Sequence, residues 1–209
     1  MELHSKRLTI RDSVFEDCEL FFKWESQPFI KRCFSISEGE TMDDIVSRFI
    51  LRREDPTIRQ YTLLERESGR PIGRIYLTRY DKKLENVDIN RIYIGEEKLL
   101  GGGLGEEAFR LLVKHCFEDL GVYRLELNHY PDNRRASRLY CKAGFHYEGC
   151  LRSYTKRDGV FYDQYQMCML RPEYDELCAG GDYMDAKGCP AERDPWATLV
   201  PRVEWTREK

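Results

Sequence analysis

The sequence predicts an α/β domain whose sheet is mixed and mostly antiparallel, flanked by helices. Apolar, β-favouring segments at 59–65, 71–80 and 86–94 follow one another with short polar links, which is the pattern of an antiparallel meander. Two further segments, 146–156 and 160–170, flank Asp158-Gly159, a favoured tight-turn pair, and so read as a hairpin. Helical periodicity on either side of a short strand fills the space between. The whole order is β, α, α, β, β, β, loop, α, β, α, β, β.

Each element has a local reason. Lys6 to Arg11 alternates, with Leu8 and Ile10 on one face. Asp12 or Ser13 is placed to cap a helix carrying Val14, Phe15, Cys18, Leu20, Phe21, Phe22 and Trp24. Pro28 ends or kinks it. Glu40 to Asp44 opens a second helix with Ile45, Val46, Phe49 and Ile50, finished by Asp55-Pro56. Trp24, Phe29, Phe34 and Met42 therefore cluster in a helical insert ahead of the meander. Gly103 to Leu120 is the longest helix, with Leu104, Ala108, Leu111, Leu112, Cys116 and Leu120 facing a core. Val122 to Leu127 is a strand, and Asn133 to Ala143 a short helix stopped by Gly144. Arg171-Pro172 closes the regular pattern, so the expectation is a domain over 1–171 and an irregular acidic appendage over 172–209. Trp196, Leu199, Val200 and Trp205 suggest that the appendage docks on something.

Composition narrows the class. At 209 residues, with 41% hydrophobic and 12% aromatic content, the chain suits one well-cored globular domain plus an appendage. No apolar run approaches the roughly 18–20 residues that span a bilayer, and the first seven residues lack a signal-peptide layout. The eight cysteines contain no CxxC pair. They read as reduced, mostly buried thiols in a cytoplasmic protein with no metal; a Cys178–Cys189 disulfide is the rival. A net charge of −3 argues against a nucleic-acid binder. That charge sits in the tail: residues 172–209 hold nine acidic and five basic side chains, which leaves 1–171 at +1.

The stretch from Ile92 to Ala108 organises the rest. An apolar strand enters a loop with four glycines in five positions, and a helix starts at once. Glycine allows positive φ and close backbone approach, and a helix start offers free N–H groups and partial positive charge, so together they form an anion site. Gly103-Leu104-Gly105-Glu106-Glu107-Ala108 also matches the dinucleotide pattern, with Glu126 where a ribose-binding acid would sit. That reading is weaker, because six residues separate strand from glycines and an antiparallel hairpin follows. A P-loop fails for want of a Lys-Ser or Lys-Thr after the glycines.

A second constellation runs from Asn133 to Gly149, in the pattern N-x-x-A-x-x-x-Y-x-K-x-G-F-x-x-E-G. With the glycine loop it resembles the GNAT superfamily of N-acetyltransferases, over roughly residues 6–170. Asp158 to Met167 is similar to the branch holding ribosomal-protein and spermidine acetyltransferases. The resemblance implies a GNAT (acyl-CoA N-acyltransferase) fold splayed at the pyrophosphate loop, with acetyl-CoA as co-substrate. It implies that Leu100, Gly101, Gly102, Gly103, Leu104, Gly105 and Glu106 cradle the pyrophosphate, and that the N–H groups of Ile92, Tyr93 and Ile94 face the thioester carbonyl. The same resemblance puts Asn133 against the pantetheine arm, Ser137 and Lys142 in the cofactor-binding set, and Tyr140 beside the sulfur. A phenol near pKa 10 cannot fully protonate a thiolate whose acid is near 8.5, but its hydrogen bond stabilises the developing charge. Arg134, Arg138 and Lys142 form a basic stripe at i, i+4, i+8, a solvated face or a contact for the 3′-phosphate. The family usually carries Arg or Gln where this chain has Leu100, and Lys or Arg where it has Gly102, so phosphate binding here is expected to lack an added cation. Asp88 is the first candidate for the general base, Glu85 the second and Glu25 the third. The implied partner is a primary amine (a protein N-terminus, a polyamine or another small amine) with neither nucleic acid nor membrane, and a homodimer is compatible with the sequence. The rival function is a non-catalytic acetyl-CoA-binding or interaction module.

Overall fold

A computed structural model describes residues 1–36, 39–157 and 159–186. Eight strands form one sheet: β1 (Glu2–His4), β2 (Leu8–Asp12), β3 (Arg59–Glu65), β4 (Pro71–Asp81), β5 (Asn86–Ile94), β6 (Arg124–His129), β7 (His146–Arg157) and β8 (Val160–Leu170). Their order is β1-β2-β3-β4-β5-β6-β8-β7. Every neighbouring pair is antiparallel except β5 and β6, which run parallel because a helical crossover joins them.

That crossover is α4 (Leu104–Glu118), and it covers one face of the sheet. Its Ala108, Phe109, Leu112 and Cys116 are fully buried against Leu8, Ile10, Leu63, Ile75 and Leu125. The opposite face carries the insert: α1 (Asp17–Glu25), α2 (Pro28–Lys31) and α3 (Met42–Arg53), built on Phe21, Trp24, Ile45 and Phe49. Thr41 and Asp44 close a reciprocal cap at the start of α3. No helix among the described residues is long and apolar enough to cross a membrane.

Several local expectations need correction. Residues 2–4 form a short strand that three residues are too few to announce. Neither Asp12 nor Ser13 caps α1, which starts at Asp17 and leaves Val14 and Phe15 exposed. Asp17 itself fixes that turn, accepting from the Val14 amide at 2.9 Å and the Thr62 hydroxyl at 2.7 Å while pairing with Arg11. Pro28 begins α2 instead of kinking α1, since at a first helical position its missing N–H costs nothing. The strand expected over 122–127 runs over 124–129, because Asn128 and His129 continue the ladder to β8. Asp158 at the hairpin turn lies outside the described residues.

The regular pattern also continues past 171. Helix α6 (Arg171–Cys178) holds Pro172 in its first turn, and a 3-10 turn follows at Tyr183–Asp185. Tyr174 stacks on Phe117 with ring centroids 4.5 Å apart, and the buried Tyr183 hydroxyl donates to the Ala143 carbonyl at 2.7 Å. Residues 172–186 thus pack on the domain. Cys189, Trp196, Leu199, Val200 and Trp205 lie outside the described residues.

Glu25, at the end of α1, ties the insert to the sheet. It is 2% exposed. Oε1 accepts from Arg74 at 2.7 Å and from the Tyr93 hydroxyl at 3.0 Å, and Oε2 accepts from Arg91 at 2.7 Å. This carboxylate is held by two guanidiniums and a hydroxyl and lines neither cavity described below, a structural position instead of that of a general base. Burial alone would raise its pKa, but Arg91, Arg74 and Tyr93 together hold it below the ordinary glutamate value. Breaking a buried ion pair costs about 3–5 kcal/mol, so Glu25→Gln is expected to lower unfolding free energy by that amount in denaturant titrations. Because the folded pKa is depressed, the stabilisation is complete above the unfolded glutamate pKa and is lost as pH falls through the folded value. The variant's stability should lack this acid-side dependence.

Candidate active site

The parallel pairing of β5 and β6 runs from Asn86 opposite Arg124 to Ile89 opposite Leu127, and stops. On its other edge β5 bulges at the same place: Leu77 faces Ile89 and Tyr76 faces Arg91, so Asn90 is extra. Beyond the bulge the Gly95 amide donates to the Ile72 carbonyl on β4 at 2.8 Å. Strand alternation then turns the amides of Ile92 and Ile94 to the edge that β6 has left.

A cavity of about 460 Å³ fills this opening. Ile92, Tyr93 and Ile94 line one wall and Asn128 and His129 another; Leu99, Leu100, Gly105 and Ala108 form the loop side, and helix α5 (Arg134–Lys142) closes it through Arg134, Leu139 and Tyr140. The structure thus brings the three strand residues, Leu100, Gly105, Asn133 and Tyr140 together. Gly101, Gly102, Gly103, Leu104, Glu106, Ser137 and Lys142 are not on the cavity wall.

The glycines differ in their reasons. Gly101 and Gly103 have φ of +92° and +80°, where a side chain would be strained. Gly105, in the first turn of α4, has no protein atom within 4 Å of a would-be Cβ, which would therefore stand in the cavity. No side chain caps α4 at Gly103, so its first amides are available to a ligand. One guanidinium stands beside the loop, paired with a carboxylate of α4. Arg7, from the β1–β2 turn, donates Nη1 to the Gly102 carbonyl at 2.8 Å and Nε to Glu107 at 2.6 Å. Arg7, 95 positions upstream of Gly102, thus braces the loop with its charge answered by Glu107, and it does not line the cavity.

On α5 the basic stripe divides. Arg134 lines the cavity and Arg135 joins it; Arg138 donates to the Arg134 carbonyl, while Lys142 pairs with Glu106 at 2.7 Å. The Asn133 side chain caps the helix by accepting from the Ala136 amide at 3.2 Å, and Ser137 is bonded to the Tyr147 hydroxyl. Tyr140 packs tilted among Phe109, His129 and Phe145, with ring centroids 4.9, 5.8 and 6.4 Å away. Its hydroxyl has no hydrogen-bond partner among the described residues. Burial, with a smaller contribution from the nearby Cys33 thiol, pushes its pKa up, so it stays a proton donor.

A second cavity, about 420 Å³, lies on the side of the helical insert. It shares Cys33, Phe34 and Asn128 with the first. Asp88 lines this one, so it and Tyr140 stand in adjoining spaces. Its Oδ2 accepts from Thr78 at 2.8 Å and Arg79 lies 3.6 Å from Oδ1. Burial outweighs both and raises its pKa above the ordinary aspartate value. The Asn128 side-chain oxygen, on the shared wall, is buried without a partner. Glu85 is exposed in a turn with φ of +52° and reaches neither cavity. Sequence reasoning missed Cys33, Phe34, Arg91 and Asn128. One signal was present: Ile89 and Ile92 share the core face at a spacing of three, which only a bulge permits in a strand. No group of three metal-ligating side chains occurs among the described residues.

Residues 7–146 match the model of the acetyltransferase (GNAT) domain. The chain is 25% identical over 178 residues to the uncharacterized N-acetyltransferase p20 of Bacillus licheniformis, covering 82% of this chain and 97% of that one. It is 26% identical over 174 residues to the uncharacterized N-acetyltransferase YoaA of Bacillus subtilis, covering 81% and 97%. The fold superposes on the crystal structure of spermidine N-acetyltransferase from Vibrio cholerae in complex with CoA and spermine, with a TM-score of 0.75 and 19% identity over 81% of this chain and 99% of that one. The split sheet and its helical crossover are the fold these matches share, and the chain belongs to the GNAT acetyltransferase family, whose members transfer the acetyl group of acetyl-CoA to a primary amine.

Proposed function

We propose that acetyl-CoA enters the first cavity, that the amine enters the second, and that the two meet at the wall formed by Cys33, Phe34 and Asn128. The observation that carries this reading is that Ile92 and Ile94, on the edge β6 leaves unpaired, and Tyr140, whose hydroxyl has no partner among the described residues, line one cavity. At the loop end of that cavity, Gly105 in the uncapped first turn of α4 and the guanidinium of Arg134 suit a pyrophosphate, while Arg7 braces the loop through the Gly102 carbonyl and Glu107.

Acetyl transfer needs three things from the protein. The amides of Ile92 and Ile94 stabilise charge that develops on the carbonyl oxygen, and one oriented donor of this kind is worth about 3 kcal/mol. Tyr140 donates a hydrogen bond to the leaving sulfur and stabilises its developing charge; its raised pKa keeps the proton on the phenol throughout. Asp88 takes the proton of the attacking amine through water, because it stands in the adjoining cavity. Its raised pKa makes it a better base than a surface aspartate. The acceptor named for the Vibrio structure is a polyamine; that is one candidate class here, beside a protein N-terminus and other small amines.

Tyr140→Phe should lower kcat at least about tenfold while the KM for acetyl-CoA stays within about twofold, as expected for a group acting on the leaving sulfur; unchanged kcat in a thiol-release assay removes the role. Gly105→Val should weaken acetyl-CoA binding at least about tenfold by calorimetry, because its side chain occupies ligand space. Gly102→Ala, at ordinary φ and with open space around it, should bind normally.

A further inference from the structure

We propose that the amine acceptor carries an anionic group of its own, a carboxylate or a phosphate, and that Arg91 in the second cavity binds it. This rests on the reading of that cavity as the acceptor site.

The bulge at Asn90 makes the arrangement. In a regular strand Asp88 and Arg91, three apart, would face opposite sides of the sheet. With Asn90 extra they share a side, and both line the cavity. Asp88 is the sole carboxylate among the described lining residues, against two guanidiniums, Arg79 and Arg91. Arg79 is turned to Asp88 and Glu126, so that end is balanced or slightly negative.

The Arg91 end is different. Its partner Glu25 is shared with Arg74, so two guanidiniums answer to one buried carboxylate. Arg91 spends Nη1 on Glu25, which leaves Nη2 and Nε as further donors in a fork that matches carboxylate or phosphate. Behind it Arg52 lies over the Tyr76 ring at 4.2 Å, with no carboxylate partner among the described residues. Burial pushes the Arg52 pKa down to about 10; Tyr76 opposes this and Arg74 and Arg91 add to it. The same cationic surplus is felt from a second position.

The cavity therefore has a negative pole at Asp88 and a positive pole at Arg91. An ammonium at the first and an anion at the second satisfy both. A polyamine would instead bring a second ammonium against Arg91, where like charges repel across a poorly screened space.

The experiment is a substrate panel with the full-length enzyme at fixed acetyl-CoA, read by thiol release. It contains L-methionine, L-phenylalanine and L-serine, their carboxamides, O-phosphoethanolamine and spermidine. At least one anionic amine should exceed its neutral counterpart (ethanolamine for the phosphate) and spermidine by about tenfold or more in kcat/KM, the discrimination expected when a buried charge is left unanswered. The better of carboxylate and phosphate identifies the anion. Arg91→Gln should reduce that preference to within about twofold, and Arg91→Lys should restore part of it. Spermidine or the neutral amines equalling the anionic ones in the wild-type enzyme overturns the proposal, whatever the variants do. A preference that survives Arg91→Gln in a protein with a wild-type circular dichroism spectrum overturns the assignment to Arg91. Neither result touches the transfer reading, which fails separately if Tyr140→Phe leaves turnover intact.

Discussion

A sheet that stops pairing in its middle is an expensive object, and this fold depends on that interruption. Buried backbone amides without partners each forfeit free energy comparable to a lost hydrogen bond. Here β5 and β6 are bonded for four residues and then part, so the amides of Ile92 and Ile94 face space instead of a neighbour. Collapse of β6 onto β5 would satisfy them and destroy the cavity. What prevents it is packing on both faces of the gap. Tyr140, Leu139 and His129 wedge in from the side of α5, while Tyr93, held by Glu25 and ringed by Trp24 and Phe34, fixes the other side.

Glu25 links this geometry to electrostatics. One carboxylate receives Arg74 from β4, Arg91 from β5 and the Tyr93 hydroxyl, which pins both strands next to the bulge. The same bonds leave the insert side of the sheet with surplus positive charge. On the far side, the start of α4 and Arg134 give the first cavity its own positive character. Two adjoining spaces of distinct charge pattern, joined at Asn128, follow from one bulge and one buried acid.

Much of this was legible in the residues. β3 and β5 run over the ranges that alternation gives, 59–65 and 86–94. The glycine spacing marks the start of α4, and α5 lies within the 133–143 range read from the pattern. The losses share a physical cause: they depend on partners distant in sequence. Arg7 reaches the glycine loop across 95 positions, and the role of Glu25 emerges only when Arg74 and Arg91 arrive 49 and 66 positions later. Pro172 misled for another reason. Proline breaks a helix interior but suits a first turn, and only the buried Tyr174 shows which applies.

The residues after 171 brace the two helices of the proposed site although they touch neither cavity. Arg110, 4% exposed on α4, donates to the Lys142 carbonyl at the end of α5 at 2.9 Å and to the Tyr183 carbonyl at 3.2 Å, and reaches Glu106 at 3.4 Å. Glu106 in turn accepts from Lys142 at 2.7 Å. The helix that begins at the glycine loop and the helix that carries Tyr140 are thus joined by one guanidinium, and Tyr183 completes its coordination from the C-terminal segment. Catalysis by positioning needs groups held to within a fraction of an ångström. Loop amides and phenol lie on separate helices, and Arg110 with Tyr183 is the strut that sets their separation.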